Sequence, residues 1–184
     1  HFYTNIGLNQ GLGFGAGFFI ASKDPIISPP RFIPFKAKGD SVKRGMFLLE
    51  TKKCWYIYTH LLQGHSEKDQ KVRTKQLSEI LEEMKKTTGN KPSVVIGDLN
   101  IDQKAAFNEY QEMIGKGLVD PLASNEDITC SHRFYAEMKE QKSADSEKVD
   151  YILQCPSKVK LDIKPTILSV DSDKISTHSA ILAT

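Results

Sequence analysis

Val94-Val95-Ile96-Gly97-Asp98-Leu99-Asn100 is the stretch on which the reading turns. Its opening apolar run, rich in β-branched residues, predicts a short buried strand over Ser93 to Ile96. Gly97 then turns the chain and presents a carboxylate and a carboxamide two residues apart. At a strand end the two side chains can converge on one point, Asp98 on a hard cation or a water and Asn100 on an oxyanion. Gly-Asp-x-Asn is equally ordinary turn chemistry, because Asp and Asn side chains bond their own backbone. The motif therefore needs company elsewhere in the chain before it argues for a site.

Outward from it, the same pattern recurs. Trp55 to Thr59 reads as a strand that delivers His60 at its end, in Tyr58-Thr59-His60-Leu61. Asp150 opens a strand over Asp150 to Gln154, flanked by Val149 and Tyr151-Ile152-Leu153; an acid so placed needs a partner if buried, and a histidine suits it. His178 leads into a last apolar strand over Ser179 to Ala183. Singly, each has a bland reading, since a lone histidine is more often structural than catalytic. Together they set polar groups at strand ends, where layered α/β folds tend to assemble sites.

Between these strands, Asp69 to Lys86 is a clear amphipathic helix. Leu77, Ile80, Leu81 and Met84 recur at helical spacing, and Gly89 and Pro92 end it. A second helix is expected over Ala105 to Ile114. Further strands are expected over Phe18 to Ala21, Met46 to Glu50 and Pro165 to Val170. The glycines of Gly11 to Gly17 open a strand rather than a helix, which argues for a turn and against a phosphate-binding loop. Strands outnumber helices and alternate with them irregularly, so a mixed α/β layered fold follows.

The 184 residues suffice for one domain with a sizeable core, and we read positions 1–184 as that domain. A net charge of +2 with both signs interleaved gives no basic face for gripping long nucleic acid, which is the less expected partner. Cys54, Cys130 and Cys155 cannot all pair with one another, lie at no metal-ligand spacing and read as small core residues. No run reaches the roughly 20 apolar residues of a membrane span. The compartment is not readable, and a monomer is expected.

In order and spacing, YTHL at 58–61, GDLN at 97–100, VDYI at 149–152 and STHS at 176–179 resemble the motifs of the endonuclease/exonuclease/phosphatase superfamily. Finer features are similar to neutral sphingomyelinases: GAGFFIASKDPI at 15–26, Gly39-Asp40 before Lys43-Arg44-Gly45-Met46-Phe47-Leu48, and Arg73, Gln76 and Leu77 in the helix after His60. The resemblance implies a two-sheet β-sandwich flanked by helices and a metal-dependent phosphodiesterase acting on a phospholipid. It implies that Asp98 and Asn100 orient the attacking water and bind phosphoryl oxygens near the cation. Asp150 would pair with His178, fixing its tautomer as base or metal ligand, and His60 would donate to the phosphate or the leaving oxygen. The implied cofactor is Mg²⁺ or Mn²⁺, held by Asp98, Asn100 and His178.

Two departures accompany the likeness. Thr177 stands where the family has an Asp before its last histidine, and a hydroxyl does not supply that charge. The family's first-strand Asn and metal-binding Glu have no counterpart, and Glu50 falls one strand too late to replace the Glu, so the domain is expected to lack its N-terminal strand and helix region. Within the same fold, a nuclease or an inositol-phosphate phosphatase is the competing activity. A catalytically impaired binding or effector domain is the competing class. Arg31-Phe32-Ile33-Pro34-Phe35 has the chemistry of a peripheral membrane contact, but core or edge-strand packing is the stronger expectation. His65 and His132-Arg133 are expected at the surface, and Lys139 to Lys148 as a solvated loop.

Overall fold

The structure, a computed structural model, describes residues 2–6, 18–123, 129–131, 146–157, 159–168, 178 and 180–183. Its centre is a five-stranded sheet. The strands are β3 (Arg31–Pro34), β4 (Gly45–Glu50), β5 (Trp55–His60), β6 (Ser93–Asp98) and β9 (Asp150–Gln154), in that spatial order. Neighbours run antiparallel except β5 and β6, which are parallel because α1 (Glu67–Thr87) carries the chain back between them. Shorter ladders join β1 (Phe2–Ile6) to β2 (Phe18–Ala21), β7 (Cys130–Ser131) to β8 (Ser146–Glu147), and β10 (Pro165–Leu168) to β11 (Ala180–Ala183).

The period-2 alternation of the central strands explains the layers. Met46, Leu48, Ile57, Val95, Tyr151 and Leu153 point to one face. There they meet Leu77, Ile80 and Met84 of α1, and Tyr110 and Met113 of α2 (Phe107–Gly115). Val94 and Ile152 point to the other face, where Leu161, Ile163 and Ile181 of β11 pack against them. The sheet is thus covered by helices on one side and, on the other, by the segment around Leu161 and Ile163 and by the β10–β11 ladder, in keeping with the layered α/β fold expected from the sequence.

Element bounds depart from expectation where side chains cap the backbone. α1 begins at Glu67 rather than Asp69, because Ser66 and Asp69 form a reciprocal capping box ahead of it. α2 begins at Phe107 rather than Ala105, because the Asp102 carboxylate accepts from the amides of Lys104 and Ala105 and holds them in a turn. The Arg31 to Phe35 segment is an edge strand, with Phe35 buried and Phe32 against Phe47 at 6.3 Å between ring centres. Phe32 and Ile33 are half-buried, in line with the edge-strand packing that is the stronger expectation for this segment. Gly11 to Gly17, His132-Arg133, residues 139–145 and Thr177 lie outside the described residues, while Ser146–Glu147 form β8 and Lys148 is buried against Asp120, against the solvated loop expected there.

Candidate active site

The register of three strands sets out the site. His60, the last residue of β5, lies opposite Asp98, the last of β6, and Asp98 lies opposite Asp150, the first of β9. Three titratable residues therefore stand in one row across the end of the sheet. The close approach of β5 and β6 there requires Gly97, whose φ is 140° and whose added Cβ would sit 1.9 Å from the Thr59 carbonyl oxygen.

Past β6 the chain turns sharply. Asn100 adopts a left-handed φ of 52°, and its amide donates to Asp98 Oδ1 at 2.8 Å. Both readings of Gly-Asp-x-Asn thus hold together: Asp98 and Asn100 form the turn and also line the cleft. The Asn100 side chain reaches across to β5, where Nδ2 donates to the Leu61 carbonyl at 3.1 Å. Arg44 donates to that same carbonyl at 2.9 Å.

Asp150 is held from below. Buried Thr129 Oγ1 accepts from the amides of Val149 and Asp150, and the next residue back, Lys148, bonds Asp120 through Nζ at 2.8 Å with both side chains buried. Asp150 Oδ2 meets His178 Nδ1 at 2.7 Å, the pairing the sequence motifs imply. On the other side of the imidazole, His178 Nε2 faces Cys130 Sγ at 3.7 Å. His60 Nε2 lies 3.5 Å from Asp98 Oδ2, an ion-pair distance too long for a good hydrogen bond.

His60, Asp98, Asn100, Cys130 and His178 line a cleft of about 450 Å³ whose walls also include Gln63, His65, Gln70, Arg73, Asp102, Ala105, Ala106 and Glu147. Burial, and after it the Asp150 charge, push the Asp98 carboxyl up to about 6. The hydrogen bond to Asp150, then the Cys130 contact, raise the His178 imidazole to about 11. Burial, then Arg44 and His178, lower that of His60.

One ligand atom from each of Asp98, Asp150 and His178 lies within 4.8 Å of the others, a set that could hold a cation. Asp98 and His178 of the ligand set expected from the sequence belong to this group, with Asp150 beside them. His60, Asp98, Asn100, Asp150 and His178 all fall at this end of the sheet. Cys130, Thr129 and Glu147 were not singled out beforehand as site residues: β7 and β8 are two residues long and leave no periodic trace. His65 is exposed, as expected, and lines the cleft as well.

No protein-family model matches the sequence, and no curated protein matches it either. Solved structures do match the fold. SmcL superposes with a TM-score of 0.78 at 18% identity, over 92% of this chain and 66% of that one. Sphingomyelinase C from Streptomyces griseocarneus gives 0.68 at 16% identity, over 92% and 67%. An endonuclease/exonuclease/phosphatase protein from Beutenbergia cavernae gives 0.65 at 18%, over 100% and 52%.

The chain therefore has the endonuclease/exonuclease/phosphatase fold. Sphingomyelinase structures are among those it resembles, at identities that establish fold and nothing finer. It spans about two thirds of the length of the first two and about half of the third.

Proposed function

We propose that the protein is a cation-dependent phosphodiesterase, sphingomyelinase-like, that hydrolyses a phospholipid phosphodiester by in-line attack of water. The observation that carries this reading is the His60–Asp98–Asp150 row, closed by His178 on Asp150, beside a cleft that His60, Asp98 and His178 line. Three strand ends bring together an acid–imidazole pair, a second imidazole and a second carboxylate, which suits proton transfer around a reacting phosphate.

The donor set fits a divalent cation. Asp98 and Asp150 crowd two carboxylates together, and a positive ion would relieve the repulsion that helps raise Asp98. Asp98, Asp150 and His178 would hold it, and when bound it would neutralise charge developing on the phosphoryl oxygens. Mg²⁺ or Mn²⁺ is the cation that the motif resemblance implies.

The chain's own groups do the rest. Asp150 fixes the Nδ1 side of His178, and Nε2, on the other side of the ring, faces Cys130 Sγ. Asp98 accepts from the attacking water, and Asn100 keeps Asp98 in place through its backbone amide. His60 donates to a phosphoryl or leaving oxygen as the bond from phosphorus to the lipid alkoxide breaks. A lipid substrate implies contact with its surface, and Phe107, 57% exposed beside the cleft residues Ala105 and Ala106, is an apolar group placed to make it.

The test is head-group release from sphingomyelin vesicles with Mg²⁺ and with chelator, run beside an abasic-site DNA duplex. Chelator-sensitive release that vanishes in Asp98→Ala is the expected result. Cutting of DNA alone would move the protein to a nuclease of the same fold. Silence on both substrates, relieved by Thr177→Asp, would leave a scaffold that binds without turning over.

A further inference from the structure

We infer that Cys130 and His178 form a thiophilic cation site in the cleft, through which Zn²⁺ or Cd²⁺ binds more tightly than Mg²⁺. The inference concerns the cation of the proposed phosphodiesterase site and rests on that reading for the site's purpose. Its physical basis is the donor set. Mg²⁺ takes oxygen ligands and gives up its waters reluctantly, whereas Zn²⁺ and Cd²⁺ are drawn to imidazole and thiolate. Beside the Asp98–Asp150–His178 set, the thiol of Cys130 faces the other nitrogen of the same imidazole and gives that side of the ring a soft donor pair.

The geometry of the soft pair fits such an ion. Cys130 Sγ lies 3.7 Å from His178 Nε2. Two adjacent corners of a tetrahedral zinc site, one sulfur at about 2.3 Å and one nitrogen at about 2.0–2.1 Å, stand about 3.6 Å apart. The separation therefore matches that of two donors on one ion, with the thiol proton and the proton on His178 Nε2 passing to solvent as the ion binds. His178 is also set up behind the contact. Its Nδ1 is bonded to Asp150 Oδ2 at 2.7 Å, the carboxylate–histidine arrangement that orients zinc-bound imidazoles and raises their basicity.

The backbone fixes both donors. Cys130 pairs with His178 in an antiparallel bridge and with Glu147 in the β7–β8 ladder. Cys54 and Cys155 are buried elsewhere in the fold, Cys155 in the core beneath the helices and Cys54 on the opposite face of the sheet, so Cys130 is the thiol of the described residues that lines this cleft.

The experiment uses the full chain and Cd²⁺ alone as the probe, in excess Mg²⁺. Ultraviolet sulfur-to-cadmium charge-transfer absorption should rise to one equivalent and be absent in Cys130→Ser. Absence of the band, or a band unchanged in Cys130→Ser, overturns the inference. If that variant fails to fold, cadmium NMR of the unmutated protein decides: a resonance in the range of thiolate-bound cadmium supports the site, and one confined to the oxygen and nitrogen range overturns it. Hydrolysis is scored separately. Cadmium capture without hydrolysis removes the phosphodiesterase reading alone, and hydrolysis in Mg²⁺ without cadmium capture removes this inference alone.

Discussion

The imidazole of His178 takes its state chiefly from Asp150, with the Cys130 contact second. Asp150 Oδ2 at 2.7 Å favours the protonated ring and carries its pKa up to about 11. A histidine raised in the folded state above its unfolded value near 6.5 adds stability that is complete below that value. The contribution fades as pH rises toward 11. Asp150→Asn should therefore return His178 to titration in the ordinary histidine range, followed by NMR of the ring protons in chelator. The variant should also lose stability below neutral pH and converge with the parent as the solution becomes alkaline; an unchanged titration would show that Asp150 does not govern the ring. The two remote thiols give a second check at this scale. Burial pushes Cys54 up to about 11 and Cys155 up to about 12, so neither forms much thiolate at pH 8. Native protein treated with iodoacetamide at that pH should carry no label on either, and both should label fully once unfolded in urea.

Between the elements, Arg73 does the work of a brace. From α1 it donates twice to Glu109 of α2, at 2.7 and 2.8 Å, and once each to the carbonyls of Leu62 and Gly64. Those carbonyls belong to the connection that follows His60, so the helix layer and the cleft wall are tied through one guanidinium. Both partners of the ion pair are almost fully buried. Arg73→Met would strand the Glu109 charge, and urea unfolding should show a loss of about 3–5 kcal/mol. Arg73→Lys should recover only part of it, since an ammonium lacks the planar fork. Gly97→Ala tests the neighbouring constraint: a Cβ 1.9 Å from the Thr59 carbonyl, at a φ of 140°, should cost more than about 2 kcal/mol in the same assay.

Such constraints mark what sequence could and could not reveal. The strands of the row were legible because apolar alternation stops at His60, Asp98 and Asp150. Arg73 and Gln76 were visible as polar residues three apart on the apolar face of a helix, matched to a motif without a role. Thr129 and Cys130 left no trace, because a two-residue strand has no period and its position is set by a tertiary ladder to Glu147.

At the scale of the whole molecule, charge distinguishes the competing substrates. The net charge is +2, and among the described cleft residues the one Lys or Arg side chain is Arg73, already bonded to Glu109 and two carbonyls. Asp98, Asp102 and Glu147 line the same cleft. A protein that engages a nucleic-acid strand through many phosphates releases counterions, and its affinity falls by about 10³–10⁵ between 50 and 200 mM salt. A site that takes one phosphodiester from a zwitterionic lipid neutralises a single charge and has little to lose. Hydrolysis of sphingomyelin vesicles should then change less than about tenfold in kcat/KM across that salt range. Vesicles doped with anionic lipid supply the control, because attraction by a diffuse basic surface would raise the rate at low salt and lose the gain at high salt. A steep fall on purely zwitterionic vesicles would mean that many more cationic contacts are made than this cleft displays, and would return the polyanionic substrates to first place.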